Sequence, residues 1–210
     1  MIRLLMADDH TVVRQGLKRI LSEHSDISIV GEASSAEETL NLVQTTSADV
    51  LILDISLPGK SGLDILKDLK MYQPRLQILM LSMHPEMQFA VRALRLGGAG
   101  YLTKDAPPDE LIRAIRKVST GGKYISSSLA DQLATLTEVN VERPLHEKLS
   151  DREFQVLRLI AQGKTLSEIA QQLALSTKTV STYRARILDK MSLNSNAEIT
   201  RYALEKKLIE

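Results

Sequence analysis

Asp49-Val-Leu-Ile-Leu-Asp-Ile-Ser-Leu-Pro-Gly-Lys-Ser-Gly62 is the stretch that decides the fold. Val50, Leu51, Ile52 and Leu53 form an apolar run with no polar alternation. That is the pattern of a strand covered on both faces, as in a mostly parallel sheet. The run stops at Asp54, and Pro58, Gly59 and Gly62 then mark a loop. A carboxylate at the C-terminal end of a central parallel strand lies on the edge where open α/β sheets place their ligands. Upstream, Arg3-Leu-Leu-Met-Ala7 runs into Asp8 and Asp9 in the same way. Three carboxylates at neighbouring strand tips repel one another unless a cation sits among them. A hard divalent ion with oxygen ligands, Mg²⁺, answers that requirement.

Two further strand ends carry polar groups. Ser82 closes Ile78-Leu-Met-Leu81, and Lys104 closes Gly100-Tyr-Leu-Thr103. An acid pair, a lone Asp, a hydroxyl and a Lys, each ending its own strand in this order, resemble a response-regulator receiver domain. The resemblance implies that Asp54 accepts a phosphoryl group as an aspartyl phosphate. It implies that Asp8, Asp9, Asp54 and the Ser56 backbone carbonyl hold Mg²⁺. Lys104 then supplies fixed positive charge to the phosphoryl oxygens and Ser82 a hydroxyl. Tyr101 matches the family's switch aromatic, packing inward when that hydroxyl is engaged. Asp9 has an alternative use as the N-cap of the helix that follows, and His10 and His84 read as loop residues. Many receivers place a cis proline after this Lys. Asp105 stands there instead, and a cis bond would cost about 3 kcal/mol.

Composition narrows the alternatives. The 210 residues suit one or two domains, and the absence of cysteine excludes disulfides, thiolate metal sites and thiol nucleophiles. The short apolar start turns acidic too soon for a signal peptide, and no apolar run reaches the roughly 18 residues of a membrane span. A cytoplasmic protein with no membrane association is expected. The formal charge of +1 conceals an asymmetry: residues 1–147 carry 16 Lys/Arg against 19 Asp/Glu, and residues 148–210 carry 11 against 7. A basic C-terminal module points to phosphate backbones.

Strand and helix patterns alternate from the start: strands at 2–7, 27–33, 50–54, 77–81 and 100–103, and helices at 11–23, 36–45, 62–72, 86–96 and 108–119. Ser34 or Ser35 caps the second helix. Five βα units imply a flavodoxin-like, doubly wound five-stranded parallel sheet in order 2-1-3-4-5, with no strand after residue 103. That order brings Asp8, Asp9 and Asp54 together. Residues 1–121 form this domain. Residues 122–147 read as a linker, with a possible short helix over 126–137.

From residue 148 the chain is all-α. Ser150-Asp-Arg-Glu153 and Thr165-Leu-Ser-Glu168 are capping boxes, Gly163 stops the first helix, and Ser176 caps a third helix running to Met191. A fourth covers 197–206. The second and third make a helix-turn-helix, and the pattern from Leu149 to Val180 is similar to the LuxR-type DNA-binding domain. Joined to the receiver pattern, it makes the whole chain resemble a NarL/FixJ-family response regulator of the GacA/UvrY branch. Val180, Ile187 and Met191 share one face of the third helix, with Tyr183 beside them. Ser181, Thr182 and Ala185 on the opposite face suit base edges. Lys178, Thr179, Arg184 and Arg186 suit phosphates. Ile199, Tyr202 and Ala203 lie on the last helix, which pairs two copies in LuxR-type domains or packs within its own domain.

The expected function is that of a two-component transcriptional regulator. A sensor histidine kinase phosphorylates Asp54, and the protein then binds promoter DNA as a homodimer. An aspartyl-nucleophile phosphohydrolase would want a second acid two residues after its nucleophile, where Ser56 stands. A receiver that serves only as a docking module is the other rival.

Overall fold

A computed structural model describes residues 1–58, 60–83, 86–126, 130, 144–206 and 208–209. The chain divides into two compact units, Met1–Thr137 and Glu138–Glu210.

The first unit alternates strand and helix throughout: β1 Ile2–Ala7, α1 Thr11–Ser22, β2 Ile27–Ala33, α2 Ala36–Thr45, β3 Val50–Asp54, α3 Gly62–Tyr72, β4 Gln77–Ser82, α4 Glu86–Arg95, β5 Gly100–Thr103 and α5 Pro108–Ser119. The five strands form one sheet in the order β2-β1-β3-β4-β5, and every pairing is parallel. All five residues of β3 are buried, which explains its unbroken apolar run. Leu4, Met6, Ile52, Leu79 and Leu81 pack with Leu111, Ile115 and Val118 of α5 in one core.

Local chemistry sets the helix ends. Ser35, not Ser34, caps α2 by accepting from Glu38 N–H, while the Glu38 carboxylate turns back to Ser34. Its pKa is lowered by the Ser34 N–H and hydroxyl it accepts from. Ser61 caps α3, and α5 opens on Pro108 with acids in its first turn and bases in its last. Gly62 is required by a close approach: a Cβ there would lie 2.0 Å from the Asp54 carbonyl oxygen.

The edge of the sheet differs from expectation in one respect. Beyond α5, Tyr124 forms an isolated parallel bridge with Gly100 on the outer edge of β5. Its hydroxyl donates to Glu110 of α5 at 2.8 Å. The 126–137 helix expected from sequence falls almost wholly on 127–129 and 131–143, outside the described residues. No cis peptide bond occurs among the described residues, Lys104–Asp105 included.

The second unit has a 3-10 turn at Leu145–Lys148, then α6 Asp151–Ala161, α7 Leu166–Gln172, α8 Thr177–Met191 and α9 Asn196–Glu205. Both capping boxes form as reciprocal pairs, Ser150 with Glu153 and Thr165 with Glu168. Gly163 ends α6 at φ +82°. Ala174, at φ +52°, turns the chain between α7 and α8. Packing of α6 against α8 and α9 buries Phe154, Leu157, Ile160, Val180, Ile187, Met191, Ile199 and Ala203. Among the described residues, no helix is long and apolar enough to cross a membrane.

Candidate functional site

Strand register assembles the site. Ala7 pairs with Leu53, so Asp8 emerges level with Asp54 at the sheet's C-terminal edge. Asp54 pairs with Leu81 and Ser82 with Thr103, which brings Ser82 and then Lys104 to the same edge one step further on. The Lys104 N–H donates to the Ser82 carbonyl at 2.8 Å and fixes where the lysine leaves the sheet.

Asp54 and Asp8 are 1% and 2% exposed, so both carboxylates are withdrawn from water. The Lys104 ammonium donates to Asp54 Oδ2 at 2.8 Å and lies 2.7 Å from Asp8 Oδ2. Asp54 Oδ1 accepts the Ser56 N–H at 3.2 Å. Burial pushes the Asp54 carboxyl above its ordinary range; Lys104 opposes this, and the charge on Asp8 adds to it. Burial pulls Lys104 down, yet Asp54 and Asp8 outweigh it and hold the ammonium above its ordinary value. Two acids thus share one base.

That sharing is a deficit of positive charge. Asp8, Asp9 and Asp54 bring three carboxylates to a cluster with one ammonium, leaving two negative charges to offset. Asp8 Oδ2 is buried with the Lys104 ammonium, 2.7 Å away, as its partner, and that ammonium is shared with Asp54. Three carboxylates against one ammonium in an oxygen-rich cluster are compatible with Mg²⁺.

Two residues that sequence reasoning did not assign to the site belong to its surroundings. His10 holds the N-cap position of α1, which removes that role from Asp9. Its N–H donates to Asp8 Oδ1 at 2.8 Å, and its ring Nδ1 lies 2.7 Å from Asp9 Oδ1. Arg14, one turn into α1, donates from Nη1 to the Asp8 carbonyl at 2.6 Å and lies 3.7 Å from Glu32 on β2. The Asp-Asp-His triplet directly before a helix was the available signal for His10. Nothing in the local sequence points to Arg14. Ser82 and Tyr101 are both fully buried, Ser82 at the tip of β4 and Tyr101 within β5 beside Met80.

In the second unit Val180, Ile187 and Met191 turn inward, and Lys178, Ser181, Thr182, Ala185 and Arg186 are exposed on α8. Two neighbours are engaged locally. Thr179 is half-buried with its hydroxyl 2.8 Å from that of Ser176, and Arg184 Nε donates to Asn196 Oδ1 at 2.6 Å. On α9, Ile199, Tyr202 and Ala203 are buried, and the Tyr202 hydroxyl accepts the His146 N–H at 3.3 Å. These three serve their own domain, leaving Arg201, Leu204 and Glu205 exposed.

A parallel five-stranded sheet with an acid-and-lysine cluster at its edge, joined to a helix-turn-helix unit, defines a response regulator that controls transcription. Residues 4–116 match the response regulator receiver domain, and residues 147–203 match the luxR family of bacterial regulatory proteins. The response regulator UvrY of Escherichia coli K12 is 38% identical over 206 residues, covering 97% of this chain and 94% of that protein. The response regulator GacA of Pseudomonas aeruginosa is 35% identical over 212 residues, covering 100% and 99%. Among solved structures, the Salmonella typhimurium RcsB response regulator aligns with a TM-score of 0.68 at 27% identity, covering 96% of each chain. The chain belongs to the NarL/FixJ-type response regulators, with a receiver domain followed by a LuxR-type helix-turn-helix. It is a transcription regulator.

Proposed function

We propose that Asp54 is the phosphoacceptor of a two-component pathway and that its phosphorylation controls binding of promoter DNA by the second unit. The observation that carries this reading is the buried Asp54 carboxylate, held between the Lys104 ammonium and the Ser56 N–H beside Asp8. Both Asp54 oxygens are held at the sheet edge, Oδ2 by the Lys104 ammonium and Oδ1 by the Ser56 N–H. An Asp54 oxygen forms the new O–P bond as the P–N bond of a kinase phosphohistidine breaks. Positioning and charge neutralisation dominate such a transfer. Asp8, Asp9, Asp54 and the Ser56 carbonyl are the groups that would hold Mg²⁺, which supplies charge neutralisation at the phosphoryl oxygens when bound. Lys104 adds a second positive charge there. The same groups permit phosphoryl transfer from small donors and slow loss of the phosphoryl to water.

Ser82 and Tyr101 form the switch. The phosphoryl draws the Ser82 hydroxyl towards it, and Tyr101 repacks into the space released. To move an equilibrium from 1:99 to 99:1, the phosphoryl must favour the active state by about 5.5 kcal/mol. A few charge-assisted hydrogen bonds from Lys104 and Ser82 approach that figure. The active form is a homodimer that sets two α8 helices on two half-sites. Ser181, Thr182 and Ala185 face base edges, and Lys178, Thr179, Arg184 and Arg186 serve phosphates. RcsB of Salmonella enterica has been solved bound to a promoter with a phosphomimetic, at 27% identity to this chain and a TM-score of 0.65.

Intact-mass analysis after treatment with a small phosphodonor and Mg²⁺ tests the reading. An adduct of about 80 Da, the mass of one phosphoryl group, is expected on the native chain and not on Asp54→Asn. The same treatment should raise DNA affinity only where Asp54 is present. An adduct elsewhere, or equal DNA binding by all forms, overturns it.

A further inference from the structure

We propose that Asn196 is a positioning residue for DNA binding: its amide holds the Arg184 guanidinium ready for a phosphate without neutralising it. The inference rests on the reading of the second unit as the DNA-binding module and of Arg184 as a phosphate contact.

Arg184 Nε donates to Asn196 Oδ1 at 2.6 Å, from the middle of α8 to the first residue of α9. The chain between the two helices is built to hold Asn196 in that place. Ser192 ends α8 in the left-handed conformation at φ +55°, and the Leu193 N–H closes back on the Leu188 carbonyl at 2.9 Å. Ser195 then caps α9 by accepting from the Glu198 N–H, while the Glu198 carboxylate accepts the Asn194 N–H at 2.8 Å. The corner does not depend on the Arg184–Asn196 bond, because α8 and α9 each pack on α6 and bury Ile187, Met191, Ile199 and Ala203. A half-buried arginine tied to an exposed amide therefore needs another reason.

The chemistry of the acceptor supplies it. A neutral amide orients a guanidinium through one N–H and leaves its full positive charge available, whereas a carboxylate would cancel that charge. Other cations of this unit are placed differently: Lys190 donates to the buried Glu153 carboxylate at 2.6 Å, and Arg201 Nε lies 3.9 Å from Glu205. Lys164, just before α7, shares the pattern of Arg184 and donates to the amide oxygen of Gln172. With Nε engaged, the planar fork of Arg184 is oriented before DNA arrives, and its remaining N–H groups match a phosphate. A side chain ordered in advance loses less freedom on binding, which raises affinity without adding a contact.

The test follows binding of the full chain, treated with a small phosphodonor and Mg²⁺, to a fluorescent duplex of mixed sequence. Anisotropy is read over a series of salt concentrations, at a temperature where thermal melts show every variant folded. The native chain, Asn196→Ala, Asn196→Asp, Arg184→Ala and a double variant carrying both alanine substitutions are compared. Asn196→Ala should lose about three- to tenfold in affinity, the range for ordering one long side chain, and keep the native salt slope. Arg184→Ala should flatten that slope by about 0.9, and adding Asn196→Ala to it should cost nothing further. Asn196→Asp keeps an acceptor and should melt no lower than the native chain, yet bind DNA more weakly, because the carboxylate neutralises the guanidinium. Native affinity in either Asn196 variant, or equal losses from Asn196→Ala in both backgrounds, overturns this inference alone. Unchanged slope and affinity in Arg184→Ala overturn the reading of Arg184 as a phosphate contact as well.

Discussion

Replacing Lys104 with Met removes the ammonium that Asp8 and Asp54 share while keeping most of the side-chain stem. The Lys104 side chain is 5% exposed and the two carboxylates 3% and 2%, so solvent does little to take over its role. Breaking a buried ion pair from one side destabilises by about 3–5 kcal/mol, because a charge remains desolvated and unpaired. Here two carboxylates are left facing each other, which puts the expectation at the upper part of that range. Hydrogen exchange of the β3 amides reports the opening of this unit specifically. Since about 1.4 kcal/mol is tenfold, protection in chelator should fall by about three to three and a half orders of magnitude. Mg²⁺ should then restore more protection in the variant than it adds to the native chain, because the ion offsets a larger charge deficit. For the native chain, a hundredfold excess of Mg²⁺ over its Kd adds about 2.7 kcal/mol. Combining Lys104→Met with Asp54→Asn should cost less than the sum of the two changes, with a coupling of about 1–3 kcal/mol. Protection in chelator equal to that of the native chain, or an identical Mg²⁺ increment in both proteins, would refute the charge-sharing account.

The remaining predictions address the scaffold and the second unit. Gly62→Ala places a Cβ 2.0 Å from the Asp54 carbonyl oxygen, so the start of α3 and the end of β3 must separate. Denaturant titration should show a loss of about 1–3 kcal/mol, and the yield of phosphoryl adduct should fall with it. Glu153 is held below the ordinary carboxylate range. Burial pushes it up, but hydrogen bonds from Lys190 at 2.6 Å and from Ser150 outweigh that. A lowered folded-state pKa adds stability above the unfolded value of about 4.3 and loses it as the pH falls through the folded value. Thermal melts of Glu153→Gln should therefore lie below native at neutral pH and converge with it in acid; parallel curves at every pH would exclude this origin. Lys178→Ala and Arg186→Ala should each flatten the salt dependence of DNA binding by about 0.9 in log–log slope for every phosphate no longer neutralised, leaving stability unchanged. Arg184→Ala also breaks the hydrogen bond to Asn196, so its melting temperature should drop, which separates it from the exposed cations in one calorimetric scan.

The strand ends were legible because each apolar run stops at a polar residue, and the helix starts because most of them carry a capping side chain. Ser150, Thr165 and Ser176 illustrate this: a local side chain satisfies a local backbone N–H, and the pattern occupies four residues. The Asp54–Lys104 pair was legible for a different reason, since parallel register carries both ends of the pattern to one edge. What escaped was tertiary. Tyr124 belongs to no apolar run, and its bridge to Gly100 exists because that residue lacks a Cβ: one placed there would sit 2.7 Å from the Tyr124 carbonyl oxygen. Arg14 reaches the Asp8 carbonyl from a helix face that looks merely solvated in sequence. On α9, apolar spacing identified Ile199, Tyr202 and Ala203 as contact residues without saying that the contacts are internal to the domain.

The arrangement of charge at the sheet edge bears on how the proposed switch is driven. One ammonium already divides its attraction between Asp54 and Asp8. A phosphoryl on Asp54 adds negative charge to a pocket that is short of positive charge. Lys104 cannot serve the new oxygens fully while it stays between the carboxylates. The nearest fully buried hydroxyl on a neighbouring strand tip is that of Ser82, whose backbone carbonyl anchors the Lys104 N–H. Ser82 and Lys104 are thus joined through the backbone at the edge the phosphoryl would occupy. Tyr101, with no exposed surface, can change position only if volume opens beside it. Charge deficit at the edge and close packing behind it favour two discrete arrangements over a graded response.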